Sequence, residues 1–163
     1  MTTQPSSDQV LIRDAREDEM DLVRELFREY AGSLNFNLSF QNFEEELATL
    51  PGNYRPPTGR LLVAFCGTMA AGCVGLRRFD NRRCEMKRLY VRPGYRGRRI
   101  GELLAERFME EARSIGGYQS VLLDTIQPLM SRAITLYKKM GFREIPAYRA
   151  NPMPGAVYME CKL

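Results

Sequence analysis

Histidine is absent from this 163-residue chain, and the absence removes a whole class of chemistry. Without an imidazole there is no histidine-based triad, no His-Glu-x-x-His zinc site and no imidazole general base. Catalysis must therefore use carboxylates, tyrosine, cysteine, lysine or backbone groups, and no metal is expected. Cysteine is scarce too. Cys66, Cys73, Cys84 and Cys161 show neither Cys-x-x-Cys spacing nor the density of a disulfide framework. In a chain of this size they read as reduced, partly buried thiols, which suits a cytoplasmic address. No apolar run approaches the roughly 18 residues needed to cross a bilayer, so no membrane partner is expected. The opening MTTQPSSDQV lacks the basic and apolar regions of a signal peptide, and residues 1–8 read as a disordered lead-in.

What is present is ordinary for a globular chain. Hydrophobic residues make up 44% and charged residues 27%, and the length suits one domain over residues 1–163 with a full core. The net charge of +4 is carried mostly by arginine. Arginine favours fork-like contacts to phosphate or carboxylate over a diffuse cationic cloud, so the charge fits a phosphorylated small molecule as well as a polynucleotide.

Hydrophobic periodicity orders the elements. VLIRDA is a short strand, and Asp14 to Asp18 offer caps for a helix in which Met20, Leu22, Val23, Leu26, Phe27 and Tyr30 share a face. A second short helix carries Phe43, Leu47 and Leu50, and Pro51-Gly52 stop it. Two strands follow around Gly67. In the next strand, CEMKRLYVRP, alternation puts Glu85, Lys87, Leu89 and Val91 on one face and Met86, Arg88 and Tyr90 on the other. A long helix is predicted over Arg98 to Ser114, ended by Gly116-Gly117. SVLLDT is a buried strand, PLMSRAITLYKKM a helix closed at Gly141, and two strands around a Pro/Gly loop finish the chain. The predicted order is β-α-α-β-β-β-α-β-α-β-β, a mixed α/β (α+β) architecture.

Between that strand and the long helix lies RPGYRGRRIG, residues 92–101. A strand that turns through glycines into a helix N-terminus exposes unpaired backbone N–H groups and the positive end of the helix dipole, a ready seat for a diphosphate. Gly94, Gly97 and Gly101 let the backbone bend and approach closely. Arg96, Arg98 and Arg99 add charge-assisted contacts. No Gly-Lys-Ser/Thr follows and the spacing is not Gly-x-Gly-x-x-Gly, so neither a nucleotide hydrolase nor a dinucleotide fold is indicated. On spacing alone the loop reads equally as a phosphate cradle or as a solvated basic turn.

EMKRLYVRPGYRGRRIGELL followed by RAITLYKKMGF resembles the GNAT superfamily of N-acetyltransferases, which use acetyl-coenzyme A. The family's diphosphate loop runs Gln/Arg-x-x-Gly-x-Gly/Ala. Arg96, Gly97, Arg98, Arg99, Ile100 and Gly101 fill it, with Arg99 standing where the middle glycine is usual. The second motif matches at Ala133, Leu136, Tyr137, Gly141 and Phe142, and Met130 stands where an asparagine is often found. The resemblance implies the GNAT fold: a mostly antiparallel central sheet with helices on both faces. It also implies an enzyme that moves the acetyl group of acetyl-CoA to a primary amine of a small molecule or peptide, by direct attack in a ternary complex.

Such a reaction needs an acceptor for the amine's proton and an acid for the departing sulfur. By spacing alone Tyr137 is a core residue on its helix's buried stripe; the resemblance makes it the general acid. Glu85, eleven residues before Arg96, corresponds to a glutamate base in some members, against the plainer reading of a strand residue paired with a neighbouring cation. A water chain is the competing base. The resemblance also places the backbone of Leu89, Tyr90 and Val91 against the pantetheine arm, where that strand diverges from SVLLDT. Asp124 and Thr125 either line the acceptor mouth or cap the turn before Pro128. Cys73 and Cys84 lack a histidine partner and read as buried thiols.

Tyr30, Phe36, Tyr148 and Asn151 border the acceptor site in the family arrangement, each with a packing role as the alternative. Arginine-rich walls lean towards an acidic or zwitterionic acceptor. A nucleic-acid surface joining RRFDNRR to the loop is discounted, since no aromatics interleave the basic residues. The alternative function is a non-catalytic acyl-CoA-binding or regulatory module. Homodimers are common in the family, and the resemblance leaves a homodimer open.

Overall fold

A computed structural model of the chain describes residues 9–34, 37–38, 42–127 and 129–163. The expected lead-in over residues 1–8 and Phe36 lie outside these. The strands are β1 (Val10–Asp14), β2 (Arg60–Cys66), β3 (Met69–Arg78), β4 (Arg83–Val91), β5 (Ser120–Ile126), β6 (Arg143–Ile145) and β7 (Ala156–Lys162). The helices are α1 (Met20–Gly32), α2 (Phe43–Ala48), α3 (Ile100–Ile115) and α4 (Ser131–Lys139). The strands join in one sheet of order β1-β2-β3-β4-β5-β7-β6. Every pair is antiparallel except β4 and β5. The element order, mixed sheet and two-sided helical cover agree with the sequence-based expectation.

Both faces of β2 are buried, so its sequence is almost wholly apolar instead of alternating. Leu62, Ala64 and Cys66 join one core with Ile100, Leu104, Phe108 and Ala112 of α3. Leu61, Val63 and Phe65 join the other with Val23, Leu26 and Phe27 of α1 and Phe43 and Leu47 of α2. Burying each such large side chain contributes about 1.5–3 kcal/mol. The start of α1 differs from the sequence reading. Residues Glu17–Glu19 form a single 3₁₀ turn, and it is the Glu19 carboxylate that accepts the Arg16 N–H at 2.9 Å and both Arg13 guanidinium N–H groups at 2.7 and 2.9 Å. A carboxylate three residues on reaches back to the turn's first amide, a geometry Asp14 and Asp18 do not offer.

Strand β4 departs from simple alternation. Cys73 pairs with Tyr90 but Gly75 with Lys87, so Arg88 and Leu89 together stand opposite Val74. Arg88 takes φ +61°, which makes it the extra residue of a β-bulge. Beyond a bulge every side chain changes face. Met86, Leu89 and Val91 therefore pack on the α3 side, while Tyr90 packs with α1 and α2. Glu85 and Lys87 share that second side with Arg88, whose guanidinium bonds Glu46 of α2. The faces expected from alternation are corrected accordingly: Leu89 and Val91 do not continue the Glu85–Lys87 face. At the end of β4, Arg92 clamps Glu29 of α1 at 2.7 Å.

Pairing between β4 and β5 covers only Arg83–Glu85 against Ser120–Leu122; after that the strands part. On the opposite edge β3 is held close, and a methyl group added at Gly72 would collide with the Tyr90 carbonyl oxygen. Gly72→Ala is expected to lower stability by about 2 kcal/mol, within the range for overpacking; urea unfolding of the variant against wild type checks it.

Candidate active site

A cleft of about 570 Å³ opens where β4 and β5 diverge. Its walls are Met86–Val91 of β4, Leu123–Ile126 of β5 and Tyr137 of α4, and Arg96, Tyr30, Leu34 and Asn151 also line it. Arg92 N–H donates to Ala71 O at 2.8 Å. By antiparallel alternation, the N–H and C=O of Tyr90 then face β3, and those of Leu89 and Val91 face the gap. Of the three strand residues expected at the pantetheine arm, all line the cleft, but only Leu89 and Val91 turn their main chain into it.

The loop that follows begins with one 3₁₀ turn, Pro93–Tyr95. Helix α3 starts at Ile100, two residues later than predicted. Among the described residues no backbone N–H from Gly97 to Glu102 donates to another backbone group, and the first bond of the helix is Leu103 N–H to Arg99 O at 3.0 Å. Six consecutive amides at a helix N-terminus fit a diphosphate. Gly97 needs its glycine for φ +82°. Gly101 does not need one for packing, because an added Cβ would meet only Val91 at an ordinary 3.6 Å. Its small size leaves room over the amides.

Arg99, inside the helix predicted from Arg98, instead caps it, in the left-handed region at φ +61°. That is why a glycine is usual there. Its side chain is exposed and pairs with Glu102 at 3.1 Å. Arg96 donates to Val91 O at 3.2 Å, and Arg98 lies over the Tyr95 ring.

Tyr137 lies on the buried face of α4 against Phe142 and lines the cleft. Among the described residues nothing hydrogen-bonds its hydroxyl. Burial, and to a lesser extent the nearby Tyr30, pushes its pKa well above that of an ordinary phenol. It therefore stays protonated at neutral pH.

Glu85 is fully buried and does not line the cleft. Arg77 donates to one of its oxygens at 2.8 Å; Tyr148 donates to the other at 3.1 Å, which Arg149 also reaches. Burial pushes its carboxyl up, but Lys87, Arg77 and Arg149 together hold it below the usual range. Of the predicted site residues the structure brings Leu89, Tyr90, Val91, Arg96 and Tyr137 to one cleft; Gly97, Arg98, Arg99, Ile100 and Gly101 follow Arg96 outside its lining, and Glu85 is buried away from it.

Sequence reasoning missed the charge cluster in that wall. Lys87 of β4 and Asp124 of β5 pair at 3.4 Å, with side chains 4% and 3% exposed, at the cleft surface. Asn151 donates to the second Asp124 oxygen at 3.3 Å. Arg88 donates to Glu46 at 3.0 Å, and Arg77 reaches the same carboxylate at 3.6 Å. Burial pulls Lys87 down to about 8, against the pull of Asp124 and Glu85. The available signal was charge inside an apolar strand. Glu85 and Lys87, two apart, must share one face, and a buried face carrying both signs implies partners across the sheet. Asp124 and Thr125 are interior to β5 and both line the cleft. Tyr30 and Asn151 line it too; Tyr148 serves Glu85 instead. Cys73 and Cys84 are unpaired and buried, with thiols pushed up to about 12, chiefly by burial.

A sheet that opens between a parallel strand pair, beside a helix N-terminus whose first amides make no backbone bond among the described residues, offers a long cleft with an anion seat near one wall. Comparison with known proteins gives the family. The sequence profile of the Acetyltransferase (GNAT) family matches residues 20–142. An uncharacterized N-acetyltransferase of Schizosaccharomyces pombe is 40% identical over 148 residues, 89% of each chain. Two solved structures share the fold. One is the PaiA N-acetyltransferase of Thermoplasma acidophilum in complex with coenzyme A, with TM-score 0.71 and 21% identity over 95% of this chain and 99% of that one. The other is spermidine N-acetyltransferase of Vibrio cholerae with coenzyme A and spermine, with TM-score 0.71 and 17% identity over 94% and 95%. The chain belongs to the GNAT family and is an acetyl-CoA-dependent N-acyltransferase. Among the described residues no helix is long and apolar enough to cross a membrane.

Two outcomes are expected here. Arg99→Gly should keep coenzyme A affinity within about 2-fold, whereas Arg99→Val should weaken it about 10-fold, because a β-branched residue is a strained choice for the left-handed region. Calorimetric titration of both decides. The second concerns Lys87, whose folded pKa of about 8 lies below its ordinary 10.5. Between those values the unfolded chain binds the proton that the folded one has released, so stability rises with pH across that window. Lys87→Met should lose that rise relative to wild type in urea unfolding at pH 7.5 to 10.

Proposed function

We propose that the chain acts as one acyltransferase domain over residues 1–163. In this reading it moves acetyl from acetyl-CoA to a primary amine of a small molecule or peptide, by direct attack in a ternary complex with Tyr137 as general acid. The observation that carries it is the Tyr137 hydroxyl: protonated, without a hydrogen-bond partner among the described residues, and in the wall of the cleft beyond the end of the β4–β5 ladder. Direct attack is favoured over an acyl-cysteine route, which needs a thiolate at the cleft, because Cys73 and Cys84 stay protonated and outside it. The buried, unpaired cysteines also support a reducing compartment such as the cytoplasm.

Acetyl-CoA supplies the acetyl group as a thioester. The amides of Gly97–Glu102 hold its diphosphate with help from Arg96 and Arg98, and Leu89 and Val91 bond the pantetheine amides. The amine nitrogen bonds to the acetyl carbon and the carbon–sulfur bond breaks. Main-chain N–H of β4 receives the charge that develops on the carbonyl oxygen. Tyr137 gives its hydroxyl proton to the departing sulfur and regains one from water. The amine's proton leaves through water beside Asp124. Glu85, clamped by two arginines, serves in this reading as an anchor of the charge cluster, and the water path serves as base.

The Vibrio cholerae enzyme of the same fold holds coenzyme A together with spermine, which supports an amine acceptor here. Tyr137→Phe is expected to lower kcat by about 100-fold, within the range for a positioned acid, and to leave the coenzyme A dissociation constant within about 2-fold. Thiol release with a panel of amines and a coenzyme A titration read the two separately. A wild-type rate in that variant would remove Tyr137 from the mechanism.

A further inference from the structure

Attack by an amine requires a group that takes the nitrogen's proton, which in the reading above leaves through water beside Asp124. The lining of the cleft narrows what can start that transfer. The chain has no histidine. Three tyrosines line the cleft, Tyr30, Tyr90 and Tyr137, and burial pushes each phenol upward, so all are protonated at neutral pH. The cations in the lining are Lys87, Arg88, Arg96 and Arg132. Arginine does not give up its proton in a protein, and Lys87, pulled down to about 8, is still mostly charged at pH 7. Among the described residues no cysteine lines the cleft, and Asp124 is the one carboxylate that does.

The position of Asp124 suits the step. Val121 and Leu123 of β5 pack in one core with Tyr137 and α3, and alternation along the strand turns Asp124 to the other face of the sheet. A thioester in the gap therefore has Tyr137 on one side and Asp124 on the other, as an acid for sulfur and a base for nitrogen require. The Asp124 carboxylate accepts one hydrogen bond on each oxygen, from Lys87 at 3.4 Å and from Asn151 at 3.3 Å. A carboxylate can accept about four, so each oxygen keeps room for a further donor. Glu85 has neither property: it lies away from the cleft, and Arg77, Tyr148 and Arg149 occupy its oxygens. We propose that Asp124 takes the acceptor amine's proton and passes it to water, with Asn151 as its positioning residue. The neutral amine bonds to the acetyl carbon and its nitrogen gains positive charge, which makes that proton acidic enough for a carboxylate to remove. Asp124 accepts it while the carbon–sulfur bond breaks and Tyr137 protonates the sulfur. Water then takes the proton from Asp124 and returns one to Tyr137.

This inference rests on the transferase reading above. The test uses the whole protein with acetyl-CoA, following thiol release with the best acceptor from a panel of amino acids, polyamines and short peptides. Asp124→Asn keeps the shape and removes the base. It is expected to lower kcat by about 100- to 1000-fold and to leave the coenzyme A dissociation constant within about 2-fold, as for a positioned base. In Asp124→Ala, added formate should restore part of the lost rate, and nitrate at the same ionic strength should not. Both are small planar anions, so a role in charge or packing would respond to both, whereas only formate can accept the proton. Asn151→Ala should lower kcat by about 10-fold, as for one hydrogen bond to a charged group. Asn151 lies in the β6–β7 loop, so this variant decides if neither Asp124 variant folds. A wild-type kcat in Asp124→Asn or in Asn151→Ala, or rescue by both anions or by neither, overturns the role of Asp124 and leaves the transferase standing. No turnover with any amine while coenzyme A still binds overturns both.

Discussion

Arg88 is a side-chain-bearing residue held in the left-handed region in the middle of a buried strand. That conformation costs about 1–2 kcal/mol, and it persists because the side chain is tied down. Its guanidinium bonds Glu46 and lies over the rings of Phe43 and Tyr30. The bulge so fixed turns Leu89 and Val91 to the α3 side and aims their main chain at the gap, while β5 runs on in another direction. A sheet that kept its pairing there would have no unpaired N–H or C=O to offer a ligand. The cleft exists because the ladder stops after Glu85 and Leu122.

The same residue joins the two ends of the chain's functional half. Glu46 sits on α2, whose Phe43 and Leu47 anchor it in the core, and it also accepts the Tyr54 hydroxyl at 3.0 Å. The Tyr54 ring in turn presses on Gly75, where an added Cβ would come within 2.6 Å. From the other side, Tyr148, Arg149 and Asn151 bring the β6–β7 loop down onto Glu85 and Asp124. One polar cluster thus positions α2, the floor of the cleft and the C-terminal loop together. Buried polar clusters of this kind contribute less to stability than to holding one arrangement, and the arrangement held here is one wall of the cleft.

Much of this was legible in the sequence. Element order followed from hydrophobic period, and the loop at Arg96–Gly101 followed from its glycines and its place between strand and helix. Tyr137 needed the family resemblance, since helical spacing alone makes it a core aromatic, and it is indeed both buried and in the cleft wall. What could not be read was anything set by a partner distant in sequence. The bulge has no glycine to mark it, so strict alternation put Leu89 and Val91 on the wrong face. For Glu85 the sequence left two readings, a base or a strand residue paired with a neighbouring cation; Arg77, Tyr148 and Arg149 occupy its oxygens, and sequence could not name them because they come from other strands and loops. Arg99 looked like an ordinary helix start because only the backbone angle reveals why a glycine is usual there.

The central claim is that coenzyme A enters where β4 and β5 part and rests its diphosphate on the amides from Gly97 to Glu102. Amide chemical shifts in a ¹⁵N-labelled sample, recorded as coenzyme A is added, test it most directly. The expected result is large, saturating changes confined to those amides and to Leu89 and Val91. Saturation with those signals unmoved, and with the changes gathered elsewhere on the sheet, would contradict it.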